Sequence, residues 1–393
     1  MKISIKISFG IALAAFLTLS VVACKKETDT ARDCAGTPAV SYIRATDPGK
    51  SDSLLVGSFM GSLIAVVGEN LCHAEQMWFN DQQAVLNPTF VTENSILVNV
   101  PSTVPTVVSD KMRIVFSDGS ELSYDFKVNV PAPRIDKVKS EYVPDGDLLI
   151  LDGDFFFQPL ELTFTGGQKG EVVTLDKTHL EVRVPAGAEA GPITIKTNFG
   201  TAKSRFFFRD NRNVILDYDG KNHETWTAAI NNSDPAGCSG SYAAFKNAAN
   251  GPWQWTNELT MQYWAPRGRG NVPVASGLVS DLALKFEVNV PIEWRDVRME
   301  IFFGPYAEDH GRDGAIHARW QPWKAGPYKT DGWETVTIPL SEFKYGKDDP
   351  DDNGTKKIEN LNSLTNVVMM LFGPAAGPNP VHICVDNVRV VPL

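Results

Sequence analysis

The most constraining feature of this chain is a unit that occurs twice, about 85 residues apart. Each copy holds two glycines seven positions apart, Gly61 and Gly68 in the first and Gly146 and Gly153 in the second. Strand-like residues lie between them, SLIAVV and DLLILD, and each copy continues to a run that ends in proline, SILVNVP and HLEVRVP. A repeat of this kind indicates one structural unit used twice, so both copies must adopt the same fold.

Apolar residues alternate within these runs, as in Ile96, Val98 and Val100 and again in Leu180, Val182 and Val184. A period of two over short runs, interrupted by glycine and proline, predicts antiparallel strands in a β-sandwich. The glycine pair and the V-x-V-P strand end resemble the IPT/TIG immunoglobulin-like family over residues 39–131 and 133–209. The second copy resembles it more closely. This resemblance implies two Ig-like sandwiches that act as spacers, with ligand binding by them as the alternative, since the fold fixes no function.

The N-terminus has the features of a targeting sequence. Lys2 and Lys6 precede an apolar stretch, residues 7–23, which stops at Cys24. This pattern predicts a signal peptide over residues 1–23 and no membrane-spanning helix. The run VVAC resembles a bacterial lipoprotein signal, which implies acylation of Cys24 and a membrane anchor; an ordinary secretory signal is the alternative.

The sequence after the cysteine, KKETDTARD, resembles the surface-export signal of Bacteroidetes lipoproteins. We expect residues 24–38 to form a polar, lipidated tether. Together these resemblances imply an outer-membrane protein, lipid-anchored and exposed at the cell surface.

Charge excludes one large class of partner. The formal net charge is -10, from 37 basic and 47 acidic residues, and no basic run offsets it. Nucleic-acid binding needs a basic footprint to neutralise phosphates, so nucleic acid is not an expected partner.

Residues 210–393 predict a third domain, a β-sandwich of jelly-roll size. In LALKFEVNV (282–290) the apolar residues alternate with Lys285, Glu287 and Asn289, which predicts a strand with one face buried and the polar face in solvent. MEIFF, WETVTIPL, NVVMMLF and HICVDNVRVV predict further strands, and helical periodicity is weak. The expected fold class is therefore all-β, with two Ig-like sandwiches followed by a jelly-roll-like β-sandwich.

Several short sequence segments follow one another in a characteristic order: ILDYDGKN, QYWAPRG, ALKFEVNVP, RWQPW, DGWETVTIPLSEFKYG, NSLTNVVMMLFG and ICVDNVRVVP. In this order the segments resemble the C-terminal, xyloglucan-binding-type domain of the Bacteroidetes surface glycan-binding protein B family. The resemblance implies a non-catalytic protein that holds polysaccharide at the cell surface beside a SusC/SusD-type importer. We expect a monomer whose ligand is xyloglucan, another β-glucan or a hemicellulose such as a mannan.

Aromatic residues are the candidate sugar contacts. Eight of the nine tryptophans follow residue 210. A flat aromatic ring matches the apolar C–H face of a pyranose. The resemblance aligns a Tyr-Trp dyad with Tyr263 and Trp264; the further candidates, each with core packing as the alternative, are Trp226, Trp253, Trp255 and Trp323. Trp294 and Trp333 are expected to pack.

The sequence predicts no cofactor, with a structural Ca²⁺ as the open alternative. The run Asp349-x-Asp351-x-Asn353-Gly354 resembles the start of a calcium loop, but Asn360 stands where an EF-hand needs glutamate. A second candidate set, by analogy with carbohydrate-binding sandwiches, is Asp217, Asp219 and Asp386.

Four cysteines remain after lipidation, and four cysteines allow three pairings. The pairings within single domains are Cys34–Cys72 and Cys238–Cys384; buried free thiols are the alternative.

Two other functions stay open at this point. A glycosidase or lyase on the same sandwich would need two carboxylates in a cleft, and 47 acidic residues leave room for such a pair. A surface adhesion protein would instead present an exposed apolar patch to a protein partner.

Overall fold

The computed structural model describes residues 34, 36–50, 52–219, 228–249, 260–263, 272–304, 316–345, 357–358, 360–362, 364–373 and 379–393. These residues form β-strands and short 3-10 turns, which confirms the all-β prediction. The chain divides into two compact units, Met1–Val130 and Pro131–Leu393. Within the described ranges no helix has the length and apolarity needed to cross a membrane. The predicted signal peptide, Cys24 and most of the tether lie outside those ranges.

The first unit is an Ig-like sandwich with a four-stranded sheet, β5-β4-β7-β8, a three-stranded sheet, β1-β3-β6, and a parallel pair, β2-β9. Its strands are β1 (Ala39–Ala45), β2 (Gly57–Phe59), β3 (Leu63–Glu69), β4 (Ala74–Phe79), β5 (Gln82–Ala84), β6 (Ser95–Asn99), β7 (Lys111–Phe116), β8 (Glu121–Asp125) and β9 (Lys127–Asn129). The alternating residues Ile96, Val98 and Val100 all lie in its core. Cys34 and Cys72 form a disulfide in this unit, one of the two pairings within a domain.

The repeated glycines have one structural cause in both copies. Gly68 on β3 pairs with Val40 on β1 beside an irregularity in the register, and a Cβ at Gly68 would lie 2.0 Å from the Ala39 carbonyl oxygen. Gly153 stands in the same relation to Arg134, whose carbonyl oxygen would be 1.9 Å from its Cβ. Only glycine permits this close approach of two strands.

Substituting Gly68 therefore has a defined cost. We expect Gly68→Ala to lower the free energy of unfolding of the first unit by about 1–3 kcal/mol, because the new methyl group must displace backbone. Gly49→Ala is the matched control, since its Cβ would meet nothing closer than 3.5 Å. Urea titrations of both variants measure the difference, and equal midpoints would show that the close approach does not constrain the fold.

The second unit begins with another Ig-like sandwich, made of the sheets β10-β11-β14-β13 and β12-β15-β16. Its strands are β10 (Arg134–Val138), β11 (Leu148–Asp154), β12 (Leu160–Thr165), β13 (Glu171–Leu175), β14 (His179–Arg183), β15 (Glu189–Thr197) and β16 (Gly200–Lys203). Leu180, Val182 and Val184 lie in its core, as the alternation predicts. We call this part the second Ig-like domain.

The rest of the second unit, the C-terminal domain, packs two larger sheets around one core. Its strands are β17 (Val214–Leu216), β18 (Ala229–Asn231), β19 (Tyr242–Ala249), β20 (Thr260–Tyr263), β21 (Leu282–Asn289), β22 (Arg298–Gly304), β23 (Ile316–Trp320), β24 (Glu334–Pro339), β25 (Lys344–Tyr345), β26 (Asn366–Phe372) and β27 (Asn379–Pro392). One sheet has the order β18-β19-β27-β21-β24, with β17 also paired to β27, and the other has the order β20-β26-β22-β23-β25.

The prediction that β21 presents its polar residues to solvent is wrong. Lys285, Glu287 and Asn289 are 6%, 0% and 5% exposed. The second Ig-like domain meets this side of the sheet at Lys285 and Glu287, whose side chains bond to Glu141 and Ser140 instead of water. The alternation marked the two faces of the strand, but it carried no information about what each face contacts.

Four buried charges join the two domains. The Arg389 guanidinium donates through Nη2 to Glu141 Oε2 at 2.6 Å and to Glu287 Oε1 at 2.9 Å. Lys285 Nζ donates to Glu141 Oε1 at 2.6 Å. Ser140 Oγ donates to Glu287 Oε2 at 2.8 Å, and the Glu141 backbone N–H donates to Thr335 Oγ1 at 2.7 Å. Two cations and two anions thus satisfy one another, and we call this set the buried charge network.

Candidate functional site

The strand registers bring several strand ends together at one end of the five-stranded sheet. Tyr263, the last residue of β20, pairs with Val367, next to Asn366 at the start of β26. Asn366 pairs with Gly304 at the end of β22, and Ile316 at the start of β23 pairs with Tyr345 at the end of β25. We call this end of the sheet the open end. In the sequence, the neighbouring segments 264–271, 305–315 and 346–356 lie outside the described residues.

The five-stranded sheet is buried on both faces. Val367, Met369 and Leu371 point into the domain core. Their neighbours Val368 and Met370, which the strand alternation places on the opposite face, are nonetheless only 2% and 1% exposed. We call this the second face of the five-stranded sheet.

A carboxylate lies on this second face. Glu300 is 3% exposed, and its Oε1 lies 2.6 Å from Arg298 Nε and 2.9 Å from Arg319 Nε. Burial raises the pKa of this carboxyl, although both guanidinium groups oppose the shift. Its Oε2 is buried and has no hydrogen-bond partner among the described residues. Sequence reasoning missed this group, although RMEIFF places Arg298 and Glu300 two apart, between apolar residues.

Of the leading candidates, Tyr263 and Trp264, the structure describes only the backbone of Tyr263, which lies at the open end. The backbone of Tyr263 ends β20, which pairs only with β26 among the described strands and is therefore an edge strand. Trp264 is the next residue in sequence, outside the described residues. The candidates Trp226, Trp253 and Trp255 also lie outside them, so their part in ligand binding stays a prediction.

Trp323 lies at the opposite end of the same sheet. Trp323 follows β23 in the sequence. The last residue of β23, Trp320, pairs with Met299 on β22. Phe303, which lies near Tyr263, is four residues further along β22. Its indole N–H donates to the Val297 carbonyl oxygen at 2.8 Å, and its ring packs against the domain core. The structure therefore does not bring Trp323 together with the Tyr263 backbone.

The two tryptophans expected to pack differ from each other. Trp294 is fully buried in the core, where its ring contacts Trp320 edge to face at 5.2 Å. Trp333 is half-buried and packs edge to face against Tyr242 at 5.2 Å. One side of Trp333 thus remains at the surface of the domain.

Asp386, one of the calcium candidates, is held by hydrogen bonds. Its Oδ2 accepts from Ser239 Oγ at 2.9 Å and from Asn387 Nδ2 at 3.1 Å, and its Oδ1 accepts from the Asn387 backbone N–H at 2.7 Å. Asp219 accepts from the Ser241 backbone N–H at 2.6 Å. Among the described residues no group of three or more His, Cys, Asp or Glu side chains is placed to hold a metal ion. The run Asp349 to Gly354 lies outside them, and Cys238 and Cys384 are buried free thiols.

Burial raises the pKa of Asp386 to about 7, with Ser239 and the Asn387 backbone opposing the shift. The folded state therefore holds a proton on Asp386 between about pH 4 and pH 7, where the unfolded chain has lost it. The contribution of Asp386 to the free energy of unfolding must fall as pH rises through this window and stay level above it. In the wild type we expect the free energy of unfolding to decline by on the order of 2–4 kcal/mol through this window, and we expect Asp386→Asn, which mimics the protonated acid, to remove that decline.

Urea denaturation at about pH 4.5 and about pH 8 measures this difference. The stability of Asp386→Asn relative to the wild type should rise between the two values. The same pH dependence in both proteins would show that Asp386 is ionised throughout.

Comparison with known proteins agrees with this architecture. Residues 208–392 match the family model of the surface glycan-binding protein B xyloglucan binding domain. The C-terminal domain thus matches this family's model, which agrees with the resemblance of its sequence segments.

Two further proteins are similar to this chain. An IPT/TIG domain-containing protein of Bacteroides ovatus is 32% identical over 155 residues, which is 38% of this chain and 30% of the relative. The chain thus spans about a third of that relative's length. The crystal structure of surface glycan-binding protein PbSGBP-B from Prevotella bryantii is 28% identical, with a TM-score of 0.68, and the alignment covers 91% of this chain and 99% of the other. The predicted combination of Ig-like domains with a glycan-binding-type sandwich is confirmed.

Proposed function

We propose that this protein is a non-catalytic, lipid-anchored protein of the outer cell surface that binds a β-linked polysaccharide and passes it to a SusC/SusD-type importer. The observation that carries the proposal is the family match over residues 208–392, on the sandwich whose open end holds Tyr263. The likeness to PbSGBP-B over nearly the whole chain supports the same role for the complete architecture. Xyloglucan or a related β-glucan or hemicellulose is the ligand class that this family name favours.

The chemistry of the site is suited to such a ligand. An aromatic ring at the open end would stack on the C–H face of a pyranose, which removes about 50–100 Å² of surface and contributes roughly 1–2.5 kcal/mol. Two or three rings would give micromolar to millimolar affinity after the costs of association.

Affinity electrophoresis of residues 25–393 tests the proposal. The protein is run through native gels that contain xyloglucan, mixed-linkage β-glucan, glucomannan, galactomannan or no polysaccharide. We expect retardation in at least one β-linked glycan and no reducing sugar released from it. Released sugar would favour the glycosidase or lyase alternative, and migration unchanged in every gel would favour the adhesion alternative.

A further inference from the structure

A second concave surface lies within the second unit, between the second Ig-like domain and the C-terminal domain. It is a cleft of about 240 Å³. Tyr142, Val143 and Leu148 line it on one side, and Ala236 and Trp333 line it on the other. Most of this lining is apolar, as in typical small-molecule sites.

Trp333 is held in a fixed orientation in this cleft. Its indole N–H donates to the Ala236 carbonyl oxygen at 2.7 Å. Its ring meets Tyr242 at a centroid distance of 5.2 Å and an interplanar angle of 69°. The ring therefore forms a rigid aromatic wall that loses little conformational entropy when a ligand binds.

Charged groups stand at the rim. The Asp331 side chain is fully exposed, and its Oδ2 lies 3.5 Å from Lys139 Nζ. Asp147 also lines the cleft. Two carboxylates and one ammonium group give the rim a net charge of about -1 at neutral pH, and they offer both acceptors and donors to hydroxyl groups.

Hydrogen bonds between the two domains fix the walls of the cleft. The Thr335 backbone N–H donates to the Lys139 carbonyl oxygen at 2.8 Å. Two residues further along, Glu141 enters the buried charge network. The cleft is thus formed before any ligand arrives, since both walls belong to one compact unit.

We propose that this cleft is a second sugar-binding site, which takes a single neutral pyranose unit at a chain end or in a side branch. The inference rests on the proposed function of glycan binding. The volume is below the roughly 300 Å³ of pockets that hold drug-sized ligands, which suits one sugar ring. The aromatic wall fits the C–H face of that ring, and the negative rim disfavours uronic acids and phosphorylated sugars.

The test uses residues 25–393 labelled with 5-fluorotryptophan and observed by ¹⁹F NMR. The Trp333 resonance is assigned as the one that Trp333→Phe removes. The probes are methyl β-glucopyranoside, methyl α-xylopyranoside, methyl β-galactopyranoside and glucuronic acid, each titrated to about 100 mM so that millimolar binding is visible. We expect at least one neutral glycoside to shift the Trp333 resonance in a saturable way, and glucuronic acid to shift it less.

The variant Asp331→Ala changes the rim of the cleft and leaves the packing of Trp333 intact. This variant should weaken the binding measured at Trp333 by about 3- to 10-fold through loss of a hydrogen-bond acceptor. The matched control is Asp125→Ala in the first unit, which also removes an exposed carboxylate paired with lysine and should change nothing. No Trp333 shift with any neutral glycoside, or equal affinities for Asp331→Ala and the control, would overturn the inference. Retardation by polysaccharide gels in that case would leave the proposed function standing, so the two failures are distinguishable.

Discussion

Replacing Arg389 by alanine is expected to lower the free energy of unfolding of residues 131–393 by about 3–5 kcal/mol. Arg389 is fully buried and donates to both Glu141 and Glu287. Its removal would leave two buried carboxylates with only Lys285 as a cation, and burial already raises the pKa of Glu287. Tryptophan fluorescence during urea denaturation reports on this unit, because eight of the nine tryptophans follow residue 210.

Arg134→Ala is the control for this experiment. Arg134 pairs with Asp136 through two hydrogen bonds of 2.7 and 2.9 Å, but both side chains are about half exposed. An exposed pair contributes about 0–1 kcal/mol, so this variant should be near wild type. Equal, small losses for both variants would show that the buried charge network does not hold the two domains together.

The double substitution Tyr263→Ala/Trp264→Ala is expected to weaken polysaccharide binding by at least about 30-fold. Two stacked rings contribute roughly 2–5 kcal/mol by buried apolar area, and each 1.4 kcal/mol is a factor of ten in Kd. Isothermal titration with the polysaccharide that retards the wild-type chain measures the change. The free energy of unfolding should be unchanged within about 0.5 kcal/mol if the side chains are exposed to ligand.

Two controls locate the effect. Trp78→Ala removes the tryptophan of the first unit and should leave affinity unchanged. Trp323→Phe alters the opposite end of the five-stranded sheet, and because Trp323 packs on the core we expect an effect on stability rather than on affinity. Full loss of binding in Trp323→Phe, with Tyr263→Ala/Trp264→Ala unaffected, would move the site to that end.

Local sequence patterns predicted the strands well. The alternation of apolar residues located β6 and β14. The repeated glycines marked two places where a strand lies against a carbonyl oxygen of the neighbouring strand. Both features depend on the chain near them, because side-chain period and glycine geometry are local properties.

Features that depend on distant parts of the chain were not predictable in the same way. Lys285 and Glu287 were expected to face solvent because nothing near them in sequence shows that Glu141 and Ser140 contact them. The sequence left the pairing of Cys34 with Cys72 undecided for a similar reason. Glu300 was missed because, although Arg298 is two residues away, nothing nearby in sequence shows that Arg319 also contacts its carboxylate.

We propose that the C-terminal domain binds polysaccharide without cleaving it. Isothermal titration of residues 25–393 with xyloglucan, followed by size-exclusion chromatography of the recovered polysaccharide, tests this most directly. We expect saturable binding with a Kd between about 1 μM and 1 mM and an unchanged length distribution of the xyloglucan. Shortened chains, or no heat of binding with xyloglucan or any other β-linked glycan of the panel, would contradict it.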